Sequence, residues 1–104
     1  MPQLPLIDKE EIKKASTLFR AINHPLRKQI LKLLDEKQQA TVTEIYVGLG
    51  LEQSVASQHL KILRKAGIVE TQRKGRAILY KPNYDNLTKL EKIVSEIVSD
   101  FISD

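Results

Sequence analysis

Two histidines, His24 and His59, and no cysteine make up the chain's stock of imidazole and thiolate metal ligands and of neutral-pH bases. The histidines stand far apart in sequence, and no run has metal-ligand spacing, so no metal or other cofactor is expected. Without cysteine there is no disulfide framework, thiolate metal site or thiol switch. No nucleophile–base pair or Gly-rich phosphate-cradling loop stands out either, which argues against an enzyme. The chain does concentrate cations. Residues 53–81 hold seven Lys/Arg (Lys61, Arg64, Lys65, Arg73, Lys74, Arg76, Lys81) against the single acid Glu70, a net charge of +6. Residues 82–104 carry −3 and the first 52 residues +1, within a total of +4 and a pI near 9.4. Positive charge gathered in one segment suits a polyanionic partner.

On a helix of about 100° per residue, Ala56, Leu60, Leu63 and Gly67 fall on one line, flanked by Val55, Ile62 and Ala66. Ser54, Ser57, Gln58, Lys61 and Lys65 gather on the opposite side, with Arg64 at its edge and Gln53 at its start. Serine and glutamine offer donors and acceptors to base edges, whereas lysine and arginine neutralise phosphates. The plainer account is an amphipathic surface helix with a solvated face. Such faces usually mix charges of both signs, however, and this one carries no acid. The run Arg73-Lys74-Gly75-Arg76 is either a soluble turn with gatekeeper charges or a wing lying along a phosphate backbone. Three cations within four residues, beside a polar helix face, favour the wing. His59 lies in the apolar arc, as expected of a half-buried ring bonded locally or reaching a phosphate from the helix edge. His24, before Pro25, reads as a cap or packing residue.

The elements that position these groups follow from periodicity. Asp8 with Glu11 forms a capping-box pattern, and Ile12, Ala15, Phe19 and Ile22 continue a first helix to about Asn23. Pro25 opens a second helix, whose Ile30, Leu31, Leu33 and Leu34 are buried, to about Glu36. Ala40–Val42 is expected to be extended, with Thr43 capping a short helix through Leu49. Gly50 ends that helix, and the polar-faced helix, Gln53 to about Ala66, begins almost at once. Helices joined so tightly form a helix-turn-helix. Ile68–Arg73 and Ala77–Lys81, separated at Lys74-Gly75, form a hairpin. A last helix from Tyr84 carries Leu87, Leu90, Val94, Ile97 and Phe101 at 3-4-3-4 spacing, widened by Ile93, Val98 and Ile102. That stripe is broad for one small domain and fits either a dimer contact or packing within a subunit. The expected fold is mainly α with a small β-hairpin wing: a winged helix-turn-helix of about five helices in one domain, residues 1–104. The N-terminus lacks a signal-peptide pattern and no stretch is long and apolar enough to span a membrane, so cytoplasmic location is the default expectation.

Ser57-Gln58-His59-Leu60-Lys61, Leu63-Arg64-Lys65-Ala66-Gly67-Ile68-Val69, then Arg73-x-Gly75 and Tyr80 resemble the ArsR/SmtB family of bacterial repressors. Ala21-x-x-His24-Pro25-Leu26-Arg27 followed by Ile30-Leu31 resembles the start of that family's second helix, so the similarity covers roughly residues 10–100. The resemblance implies a homodimeric repressor built on the first and last helices, through Ile12, Phe19, Leu87, Leu90, Val94, Ile97 and Phe101. It implies that Gln53, Ser54, Ser57, Gln58, His59 and Lys61 face double-stranded DNA, with Arg73, Lys74 and Arg76 on the wing. A two-fold dimer of this kind reads an inverted repeat with half-sites about one helical turn apart. The chain departs from the family in its sensors. Tyr46 and Gly48 stand where metal-sensing members carry Cys-x-Cys, and residues 84–104 contain none of the histidines of the family's C-terminal zinc sites. A small molecule, a partner protein or simply the regulator's own concentration is then left as its control. A protein–protein interaction module built on a winged helix is the alternative function.

Overall fold

The computed structural model describes residues 9–102, without the side chain of Phe101. Asp8 and its expected capping box lie outside the described residues, and so does the Phe101 side chain assigned to a dimer contact. Helix α1 (Lys9–Ile22) buries Ala15, Leu18 and Ala21, with Glu10 and Glu11 near its positive end and Arg20 near its negative end. Helix α2 (Pro25–Lys37) starts on the His24 N-cap, whose Nδ1 accepts the Leu26 N–H at 3.1 Å. It buries Ile30, Leu33 and Leu34.

Helix α3 (Val42–Leu49) is capped by Thr41, not by Thr43. The Thr41 hydroxyl accepts the Glu44 N–H while the Glu44 carboxylate accepts the Thr41 N–H, so each side chain satisfies the other's backbone. That shared bond holds the Glu44 carboxyl below its usual pKa. Val42 accordingly belongs to the helix rather than to the extended piece. Gly50 then takes a left-handed φ of 65° and closes the turn with its N–H on the Val47 and Tyr46 carbonyls. After Leu51 and Glu52, α4 (Gln53–Lys65) begins, with Ala66 as its C-cap.

Strands β1 (Val69–Lys74) and β2 (Ala77–Pro82) pair antiparallel from Val69 opposite Pro82 to Lys74 opposite Ala77. The two-residue turn is therefore Gly75-Arg76, one residue later than expected. Gly75 takes φ 63° at the first central position, as a type II′ turn requires. Ala40 extends the hairpin as a single-residue third strand, exchanging two backbone hydrogen bonds with Tyr80 at 3.0 and 2.8 Å. Helix α5 (Tyr84–Ile102) completes the chain.

The core is Ile30, Leu34, Ile45, Leu60, Leu63, Ile68 and Val69, all but fully buried. It fastens α2, α3, α4 and the base of the hairpin together. Leu87 and Leu90 pack half-buried against it, so much of their surface is already used within the subunit. Ile12 and Phe19 on α1 and Val94, Val98 and Ile102 on α5 remain about half exposed or more. The exit of α4 is bolted to the start of α5. Asn83 donates its N–H to the Ile68 carbonyl at 2.7 Å, and Asn86 Nδ2 donates to the Gly67 carbonyl at 2.8 Å. The Tyr84 hydroxyl donates to Asp35 at 2.6 Å, tying the same turn to α2; this bond raises the phenol's pKa.

Candidate nucleic-acid interface

Helix α4 turns Ala56, Leu60 and Leu63 inward, and this fixes its opposite face. Gln53, Ser54, Ser57, Gln58, Lys61, Arg64 and Lys65 are all exposed on the outward side. None of these side chains is engaged by a hydrogen bond to another described residue. Glu52 precedes the helix as N-cap without a side-chain cap bond, so the first-turn amides also remain open. The structure thus exposes on one side of α4 the polar positions that the sequence singled out there, apart from His59. Ile62, placed on the apolar arc by spacing, is 41% exposed, because the neighbours of α4 cover only the centre of that arc.

Arg73, Lys74 and Arg76 are exposed at the hairpin tip. Their placement follows from the tie at the other end of the hairpin. The Ala40–Tyr80 bridge and the burial of Ile68 and Val69 anchor its base, leaving its tip to project. The arrangement is therefore a rigid polar helix beside a projecting cationic hairpin. It can hydrogen-bond base edges in a groove and neutralise flanking phosphates.

His59 sits at the margin of this surface, half-buried. Its Nδ1 accepts Arg27 Nε–H at 3.2 Å, while Arg27 Nη1 donates to the Ala21 carbonyl at 3.0 Å. The His24 ring lies against it, centroid to centroid 4.6 Å, tilted by 51°. Burial, then the charges of His24 and Arg27, push the His59 pKa below its ordinary value. In both histidines Nδ1 is an acceptor, so in the neutral ring the proton sits on Nε2. A metal-binding histidine has the opposite arrangement, donating one N–H outward while the other nitrogen keeps its lone pair for the metal. Sequence reasoning placed both histidines correctly as cap and half-buried ring. It did not single out Arg27 as a partner of His59. The only local trace was an arginine three residues after the His24 cap, one helical turn along α2.

Tyr46 and Gly48 stand where the resemblance would place a metal-binding Cys-x-Cys pair. Gly48 has no side chain, and a Cβ there would stand 3.1 Å from Leu33 Cδ1. Tyr46 offers a single phenol, and the described part of α5 holds no histidine.

A winged helix-turn-helix with an exposed polar helix face is an architecture of DNA-binding transcriptional regulators, and a family match assigns this chain to that class. Residues 24–71 match the bacterial regulatory protein arsR family, and the chain belongs to that family. It is 38% identical over 88 residues to an uncharacterized HTH-type transcriptional regulator of Methanocaldococcus jannaschii, covering 85% of this chain and 99% of that one. It is 41% identical over 73 residues to the HTH-type transcriptional repressor SmtB of Mycobacterium tuberculosis, covering 70% of this chain and 53% of the repressor. Its fold matches the solution structure of the homodimeric winged helix-turn-helix DNA-binding domain Mb0332 of Mycobacterium bovis. The TM-score is 0.70 at 22% identity, over 95% of this chain and 94% of that one. The two named relatives are transcriptional regulators, not enzymes.

Proposed function

We propose that the protein is a homodimeric transcriptional repressor that reads an inverted-repeat operator. In this reading residues 1–104 act as one domain in the cytoplasm. Helix α4 of each subunit lies in successive major grooves about one helical turn apart. Gln53, Ser54, Ser57, Gln58 and Lys61 read the groove, His59 stands at its edge, and Arg73, Lys74 and Arg76 follow the backbone. The observation that carries this reading is the acid-free, unengaged polar face of α4 beside the cationic hairpin. The exposed apolar residues Ile12, Phe19, Val94 and Val98 support a subunit contact built on α1 and α5, completed by Leu87, Leu90, Ile97 and Phe101. The homodimeric form of Mb0332 and the repressor SmtB support assembly and sign. With Tyr46 and Gly48 in place of a Cys-x-Cys pair and no histidine along described α5, its control is a small molecule, a partner protein or its own concentration rather than a metal. Electrophoretic shift on fragments upstream of the protein's own gene tests the reading. Salt-sensitive retardation of at least one fragment is expected. Its absence across all fragments refutes the regulator's proposed operator.

A further inference from the structure

The His24–Arg27–His59 cluster joins the start of α2 to the middle of α4, and the outer ring nitrogen of His59 is open in it. Nε2 of His59 makes no hydrogen bond to a described residue. Among the described residues no buried side-chain nitrogen or oxygen lacks a partner, so this atom faces solvent. Arg27 can only donate, and its Nε–H points at Nδ1 of the same ring. A neutral imidazole carries one proton, so an occupied Nδ1 lone pair leaves that proton on Nε2. The half-buried ring stands at the flank of the face assigned above to the groove; on that reading a backbone oxygen, rather than a base edge, is the acceptor within its reach.

We propose that Arg27 is a positioning residue of the DNA site: by occupying Nδ1 of His59 it presents the His59 Nε2–H as a neutral donor to a DNA backbone phosphate. This deepens the function proposed above and rests on it. Arg27 is itself held at Ala21, so the end of α1, the start of α2 and α4 jointly fix the direction of that donor. The contact differs in kind from those of Lys61 or Arg73. A neutral donor adds affinity and fixes register without releasing a counterion, so it leaves the salt dependence untouched.

The experiment uses the full chain, a short mixed-sequence duplex and three variants of confirmed fold. Nitrogen-15 histidine spectra of the free protein at neutral pH should show His59 as the Nε2–H tautomer, and Arg27→Met should abolish that preference. Asparagine mimics Nδ1 and glutamine mimics Nε2. His59→Asn should therefore keep the Arg27 bond but lose about fivefold in DNA affinity per subunit, the worth of one neutral hydrogen bond. His59→Gln should recover to within about twofold of wild type, since it keeps the outward donor. Arg27→Met should weaken binding by a similar factor with an unchanged salt slope.

The reverse order, with Asn tolerated and Gln not, makes Arg27–His59 a purely structural tie and overturns the proposal. A fall in slope of about 0.9 per subunit in Arg27→Met makes Arg27 a direct phosphate contact and also overturns it. If inorganic phosphate shifts the His59 resonance saturably and duplex does not, the site serves free anions and the proposal fails. Failure of the wild type to bind DNA refutes the proposed function instead, while the tautomer spectrum still reports on the Arg27–His59 pair. If Arg27→Met does not fold, the two His59 variants carry the test.

Discussion

Gly67 links the reading helix to the wing and to α5, and replacing it with alanine has two separable consequences. Its φ of 78° is left-handed, which costs alanine about 1 kcal/mol after allowing for a stiffer unfolded chain. The added Cβ would also stand 2.9 Å from Asn86 Nδ2, the atom that donates to the Gly67 carbonyl at 2.8 Å. Asn86 must swing away and give up that bond, a loss of about 1 kcal/mol. Gly67→Ala should therefore destabilise by about 2 kcal/mol, a shift of about 1 M in the urea midpoint at fixed protein concentration. Asn86→Ala alone should cost about 1 kcal/mol. In the double variant the clash has nothing left to break, so the total should be about 2 rather than about 3 kcal/mol. Gly75→Ala provides the control. It has φ 63° with no atom within 4 Å of the added Cβ, and should show the conformational cost alone. Additivity of Gly67→Ala and Asn86→Ala to within about 0.5 kcal/mol would show that the two residues do not meet and would refute the reasoning.

Gln58→Ala should relax preference at one base position by about 1–3 kcal/mol, read from sequences selected out of a random pool; an unchanged preference puts the wrong face in the groove. Arg73→Ala with Arg76→Ala should weaken binding to all sequences and lower the salt slope by about 0.9 for each phosphate these arginines neutralise. A constant slope means the hairpin tip does not touch the backbone. Val94→Glu should place like charges in the proposed subunit seam, and a dimer mass persisting in light scattering excludes that seam. For His59 the folded pKa lies below the ordinary 6.5, so the unfolded chain binds the proton more readily. The neutral ring's contribution is complete above 6.5 and is lost as pH falls through that value toward the folded pKa. Melting temperature should thus decline on acidification below 6.5, with His24 and Arg27 the charged groups facing the ring. His59→Gln should flatten the decline in thermal unfolding followed by circular dichroism; an unaltered pH profile assigns it to other groups.

The reading helix was legible because its pattern is local. Ala56, Leu60 and Leu63 recur at helical spacing, and Gly50 marks the turn before them. The cap of α3 was legible too, although the expectation fell on the wrong threonine. Thr41 and Thr43 both precede an apolar run, but only Thr41 has a glutamate three residues on. At the hairpin, Gly75 fits the first central position of a II′ turn as readily as the second of another type, and the strand register decides between them. The Arg27–His59 bond joins residues 32 apart, and no periodicity records such a pairing. The partial burial of Leu87 and Leu90 likewise depends on how α5 crosses the core, which an apolar stripe alone does not specify.

The Asn83–Ile68 and Asn86–Gly67 bonds tie the end of the helix proposed to read DNA to the start of the helix proposed to join the subunits. In such a dimer the two reading helices behave as the jaws of a fixed caliper. One extra base pair between half-sites rotates the second by about a tenth of a turn, a displacement that these bonds resist within each subunit. A dimer built as proposed would measure the gap between half-sites as well as read their letters.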